Sequence, residues 1–157
     1  MAPIKRSIEL QPLSRQHHNG LFFCLLLEKG VKKQADKILM RDFCQYFWEK
    51  DLQHHFELEE KHLTTFSFYE ELREGISRMM EEHVFIRKFF TNPDILNEYS
   101  IFDQLQQSVD KHIRFEEREL FPLIQQIINQ QEMQMLGLAF ENETNNNCAS
   151  YPIKFWE

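Results

Sequence analysis

The stretch His112-Ile113-Arg114-Phe115-Glu116-Glu117-Arg118-Glu119-Leu120 decides how this chain folds, because its polar residues fall where apolar ones are due. Upstream, Leu105 and Val109 begin a stripe at spacings of three and four, and His112, Glu116 and Leu120 continue it. Such spacings line up on one side of an α-helix. The inward face therefore carries an imidazole and a carboxylate one turn apart. A second segment repeats the pattern: in Trp48, Leu52, His55, Glu59 and Leu63 the polar pair again sits inside the apolar stripe. Burying such groups unpaired costs several kcal/mol each, so something must compensate them.

Working outward, punctuation and periodicity mark four helical runs. Ser14 reads as the N-cap of the first, whose stripe Leu21, Phe22, Leu25 and Leu26 leads to a stop at Gly30. The second runs from about Lys33 to about Leu63, with Leu39, Phe43, Phe47, Trp48 and Leu52 inward and Thr64-Thr65 closing it. Ser67 and Glu70 read as a capping box for the third, with Ile76, Met80, His83, Ile86 and Phe90 inward up to Asn92-Pro93. Ser100 and Asp103 open the fourth, which should end or kink before Pro122.

Beyond Pro122, Leu123, Ile127 and Ile128 suggest a short helix, and Asn129 to Glu132 cap another piece through Met135. Residues 142–150 read as irregular, and the strip Tyr151, Ile153, Phe155 and Trp156 is expected to lie against the helices. Long helices with short loops make an all-α, antiparallel up-down four-helix bundle the economical fold. It forms one domain over 1–157, with the bundle at about 10–125 and a short helical extension and tail over 126–157.

Composition agrees. The 157 residues fit a single core. Gly 4 and Pro 5 are scarce chain-breakers for such a length, which favours helices. With 18 Lys+Arg against 25 Asp+Glu, the net charge of −7 disfavours nucleic-acid backbones and anionic membranes. No apolar run is long enough for a membrane helix or a signal peptide, so a cytoplasmic location is expected. Cys24, Cys44 and Cys148 have no CxxC spacing and read as reduced thiols.

The remaining two helices each offer one more inward histidine. His83 lies between Met80 and Ile86; His18 precedes Leu21 and Leu25, with His17, about 100° around the helix, as the alternative. The candidate donors are thus His18, His55, Glu59, His83, His112 and Glu116. Imidazole with carboxylate suits iron, manganese or zinc, and six donors are too many for one tetrahedral zinc. Two ions bridged by both carboxylates, each with two imidazoles, leave room for a bridging oxygen and an outside ligand. Glu60 and Glu117 can orient imidazoles through their other nitrogen, and Arg87 can neutralise one of them. His54 is expected to face solvent and His62 the surface or the rim of the site.

Together these motifs resemble the hemerythrin-like (HHE cation-binding) family over residues 10 to 125. The residues that carry the resemblance are His18 through Leu25, His55 with Glu59 and Glu60, Glu82-His83 with Ile86-Arg87, and His112 with Glu116, Glu117 and Leu120-Phe121-Pro122. The resemblance implies an up-down four-helix bundle holding two iron ions, a non-haem, oxygen-bridged di-iron centre, with other divalent metals possible. Oxygen-carrying members place a further imidazole four residues before the third-helix histidine, where this chain has Met79, and their last carboxylate comes five rather than four residues after the histidine. The ligand set is instead similar to that of di-iron proteins implicated in repair of iron centres. The expectation is a binding protein for dioxygen, nitric oxide or peroxide, in sensing, buffering or stress defence. The alternatives are a di-iron enzyme for nitric oxide or peroxide reduction or iron-centre repair, and a metal-stabilised interaction module whose partner the sequence does not name.

Overall fold

Helix α1 (Gln11–Lys33) begins before Ser14, directly after a 3-10 turn at Ile8–Leu10, with Pro12 in the first turn where no backbone N–H is required. In this computed structural model, which describes residues 5–143 and 151–157, the Ser14 hydroxyl does not cap; it donates to Glu117 at 2.9 Å. The helix also outruns Gly30. It closes at Gln34, in the left-handed region at φ 51°, where the Gln34 and Ala35 amides reach back to the Val31 and Gly30 carbonyls at 3.1 and 2.9 Å. Gly30 serves packing instead: a Cβ there would lie 2.7 Å from the Phe155 ring.

The second run is one long helix with an irregularity. Asp36 caps α2 (Lys37–Phe47), accepting from the Ile38 and Leu39 amides at 2.9 and 3.1 Å. A π-helical turn at Trp48–Leu52 then leads into α3 (Gln53–His62). The capping box expected at Ser67 and Glu70 does not form. Ser67 lies in a 3-10 turn, Thr64–Phe68, and no side chain caps α4 (Glu70–Thr91). Helix α5 (Tyr99–Phe115) passes through a second π-helical turn, Glu116–Leu120, into α6 (Phe121–Ile127). The widened turn brings Pro122 into the opening turn of α6, so the run continues across the proline. Asn129 and Glu132 do form a reciprocal cap, at 3.0 and 2.8 Å, and α7 (Gln130–Glu143) extends well past Met135.

The described residues are helical, with no strand among them. They pack as a bundle around two apolar clusters, one built on Phe23, Phe47, Trp48, Phe56, Phe90 and Phe102, the other on Leu13, Leu58, Leu72, Ile76, Phe121 and Phe140. The runs α1, α2–α3, α4 and α5–α6 each pass from one cluster to the other, in an order that reverses from run to run, while α7 stays with the second cluster. The polar residues His17, His83 and Glu116 fall where their helices change cluster, so a buried polar layer separates two apolar halves. The tail closes one half, since Phe155 is buried with its ring 5.0 Å from Phe43, while Tyr151 and Trp156 are partly buried beside it. Ile153 is exposed. Residues 144–150, which include Cys148 and most of the segment expected to be irregular, lie outside the described residues. Cys24 and Cys44 are free, buried thiols, and no described helix is long and apolar enough to cross a membrane.

Candidate metal centre

Helix α1 turns a different face inward from the one its leucines suggest. Leu13, His17, Gly20, Cys24 and Leu27 are buried, whereas His18, Phe22 and Leu25 are exposed. The structure therefore places His17, not His18, in the polar layer. The physical reason is that residues 21–27 are apolar on nearly every side, so their pattern does not select a phase and packing against α5 does. Gly20, with Ile113 seated against it, marks the face that packs.

Two groups of donors then converge: His17, His55, Glu59 and Glu116, and His83, His112, Glu59 and Glu116. Within each group the donor atoms lie within 4.8 Å of one another. Both carboxylates belong to both groups. His17 Nε2 is 3.0 Å from Glu116 and 3.1 Å from His55 Nε2, and His55 Nε2 is 3.3 Å from Glu59. Across the layer, His83 Nε2 is 3.1 Å from Glu59 and His112 Nε2 is 3.4 Å from Glu116. Among these buried atoms, Glu59 Oε2, Glu116 Oε2 and His112 Nε2 have no hydrogen-bond partner. Unpartnered carboxylate oxygens at full burial are costly in a closed core and are what a cation would satisfy. The donor set and its spacing fit metal cations of the imidazole-and-carboxylate class.

The model of the hemerythrin HHE cation binding domain matches residues 11–124. The chain belongs to this family. No curated protein and no solved structure matches it. The two donor groups are thus the part of a cation-binding hemerythrin domain able to hold metal.

Behind the donors, this hemerythrin domain directs three of the four imidazoles through their other nitrogen. His83 Nδ1 donates to Glu60 at 2.7 Å, His112 Nδ1 to Glu82 at 2.8 Å, and His55 Nδ1 to the Gln16 side-chain oxygen at 2.6 Å. His17 Nδ1 lies 3.5 Å from Glu117, an ionic approach too long for a good hydrogen bond. A proton held on Nδ1 leaves the Nε2 lone pair free to ligate. Aromatic rings fix the ring planes: Phe56 stacks on His83 with centroids 3.8 Å apart, and Phe121 stacks on His17 at 5.5 Å. The carboxylates behind the histidines are themselves anchored, Glu60 by Arg87 at 2.6 and 2.8 Å, Glu82 by Arg78 at 2.9 Å, and Glu117 by Arg6 at 3.0 Å.

Glu60 lies behind His83 and is held by Arg87, and Glu117 lies behind His17 without bonding it. Met79 is buried in the neighbouring apolar cluster. Sequence reasoning missed Gln16, Glu82, Arg78 and Arg6. Glu82 acts on a histidine of the next helix, and Arg6 approaches Glu117 across 111 positions, so neither leaves a local signal. Only the Arg78–Glu82 spacing of four was legible. His54 and His62 do not simply face solvent. They hold the end of α7 through the Glu143 carbonyl at 2.5 Å and its carboxylate at 3.0 Å.

The electrostatics of the metal-free layer are those of imidazolium with carboxylate. Burial alone would lower the His17 pKa, but attraction to Glu116 and Glu117 outweighs it and raises the value to about 10. The same contest, won by Glu59 and Glu60, raises His83 to about 9, and His55 also shifts upward. Burial would raise the Glu116 carboxyl, yet the His112 charge and the bonds from His17 and His55 hold it well below its usual range. A cation binding here competes with protons for the same imidazole nitrogens. A surface cavity of about 260 Å³ between α4 and α5 is lined by Glu82, Phe85, Lys111 and His112.

Proposed function

We propose that this hemerythrin domain holds two iron ions between Glu59 and Glu116 and binds a small ligand there, dioxygen, nitric oxide or peroxide, for sensing, buffering or stress defence in the cytoplasm. The observation that carries the reading is the sharing of both carboxylates by two four-donor groups. Each position has two imidazoles and two carboxylates, which leaves coordination free for an outside ligand. Bound iron supplies the redox change and the open positions. The chain supplies the rest: Glu59 and Glu116 hold the charge, the Nδ1 partners aim the imidazoles, and the Phe-rich halves exclude bulk water. Metal analysis with an ultraviolet–visible spectrum tests this. Protein purified in air should carry about two irons per chain, as counted from its donor sets, with the charge-transfer bands of a ferric pair. Stoichiometric zinc without iron overturns the reading.

A second reading, turnover of nitric oxide or peroxide or repair of iron centres, is favoured by the equal two-plus-two division of imidazoles, with fully buried Met79 where a further one would stand. Steady-state consumption by the reduced protein, lost in Glu59→Ala, would establish it. An interaction module would present the apolar tail, Tyr151 to Trp156, to a partner. Its main element, Phe155, is buried against the chain's own Phe43, which removes that support.

A further inference from the structure

The four imidazoles are not backed alike. His83 and His112 each donate Nδ1–H to a carboxylate, Glu60 at 2.7 Å and Glu82 at 2.8 Å. Each of those carboxylates is held in place by an arginine, Arg87 or Arg78. On the other side of the layer, His55 Nδ1 donates to Gln16, a neutral amide, at 2.6 Å. His17 Nδ1 has no hydrogen-bond partner; Glu117 Oε1 stands 3.5 Å away, near enough to act through its charge, while Ser14 and Arg6 hold the other oxygen, Oε2.

The difference has a chemical consequence. A carboxylate accepting the Nδ1 proton pushes electron density toward Nε2 and balances part of the cation's charge. An amide fixes the tautomer and the ring orientation without adding charge. Partners of this kind change metal affinity by about 10- to 100-fold. Glu59 and Glu116 belong to both donor groups, so their identity does not set the two positions apart.

We propose that the two cation positions fill in sequence, the one at His83 and His112 first, and that Gln16 is the positioning residue that keeps the His17–His55 position weaker and exchangeable. The chain then holds one resident and one labile cation. This rests on the two-ion reading above, and the test separates the two.

The metal-free full-length chain is titrated with cobalt(II), followed by calorimetry and by the visible bands of the bound ion. The wild type should show two steps, with dissociation constants about tenfold or more apart. Glu60→Gln should weaken the first step by about 10- to 100-fold and leave the second in place. Gln16→Glu should do the opposite, strengthening the second step by about tenfold and sparing the first. Glu82→Gln repeats the Glu60 test from the other histidine, should Glu60→Gln fail to fold once its ion pair with Arg87 is lost. A merely structural role for Gln16 cannot produce a gain confined to one step. Two equal steps in the wild type, or a Gln16→Glu effect on the tighter step, overturn the proposal while leaving two ions bound. A total of one cobalt per chain instead overturns the two-ion reading, and the proposal with it.

Discussion

Gly30 and Phe155 make a pair whose energies should not add. An alanine at position 30 would place its Cβ 2.7 Å from Phe155 Cε2 and 3.2 Å from Met40 Cε, so the ring must move. The same substitution favours α1 by about 1 kcal/mol, because alanine is the better helix former. The cost of the clash has a ceiling: the tail can leave, at the price of what Phe155 burial contributes. Truncating a buried phenylalanine costs about 3–5 kcal/mol. Phe155 is 9% exposed and lies near the chain terminus, so a value at or just below the lower end, about 2–3 kcal/mol, is expected for Phe155→Ala. Gly30→Ala should then destabilise the wild type by about 1–2 kcal/mol, the loss of docking less the helix gain. In the Phe155→Ala background the clash is gone, Met40 yields through its flexible thioether, and Gly30→Ala should stabilise by about 0.5–1 kcal/mol. The sign reversal amounts to a coupling of about 1.5–3 kcal/mol. Urea unfolding of the four full-length chains, followed by circular dichroism with a chelator present throughout, measures the cycle without metal linkage. Additivity to within about 0.5 kcal/mol would refute the docked tail.

Other outcomes follow from the same structure. His17→Ala should lower the bound metal while His18→Ala leaves it at the wild-type level, read by metal analysis of the purified chains. The raised pKa values of about 10 at His17 and about 9 at His83 stabilise the metal-free chain in full below their ordinary value near 6.5, and that contribution is lost as pH climbs through 9 to 10. Melting temperature against pH should therefore fall on the alkaline side without metal, whereas the loaded protein loses its metal, and the stability metal confers, on acidification. Gln34→Gly should add about 0.5–1 kcal/mol by relieving the left-handed φ of 51°, measurable as a higher urea midpoint. Asn129→Ala removes the oxygen that accepts the Glu132 amide at 2.8 Å and should cost about 1 kcal/mol in the same assay.

The i, i+4 pairs His55–Glu59 and His112–Glu116 were legible because helix geometry is local: four residues make one turn whatever the rest of the chain does. They carried the fold class, the two shared carboxylates and the expectation of a cation site. Capping was legible only where the side chains had no better partner. Asn129 and Glu132 cap as their spacing suggests, whereas Ser14, which also looks like a cap, is drawn to Glu117, and Ser67 lies in a 3-10 turn.

What only the tertiary structure decided is phase and pairing. In α1 the run from Leu21 to Leu27 is apolar around most of the helix, so nothing local says which side is inside; the seat of Ile113 on Gly20 turns His17 inward and leaves His18 at the surface. The two π-helical turns re-aim the residues that follow without any mark in the hydrophobic pattern. Gln16 and Glu82 gain their roles from histidines on other helices. The sequence by itself determined which residue types offer ligand atoms and how they are spaced along each helix, because those are properties of a single turn. Which histidine faces the buried polar layer, and what stands behind each imidazole, depend on groups brought together only when the helices pack.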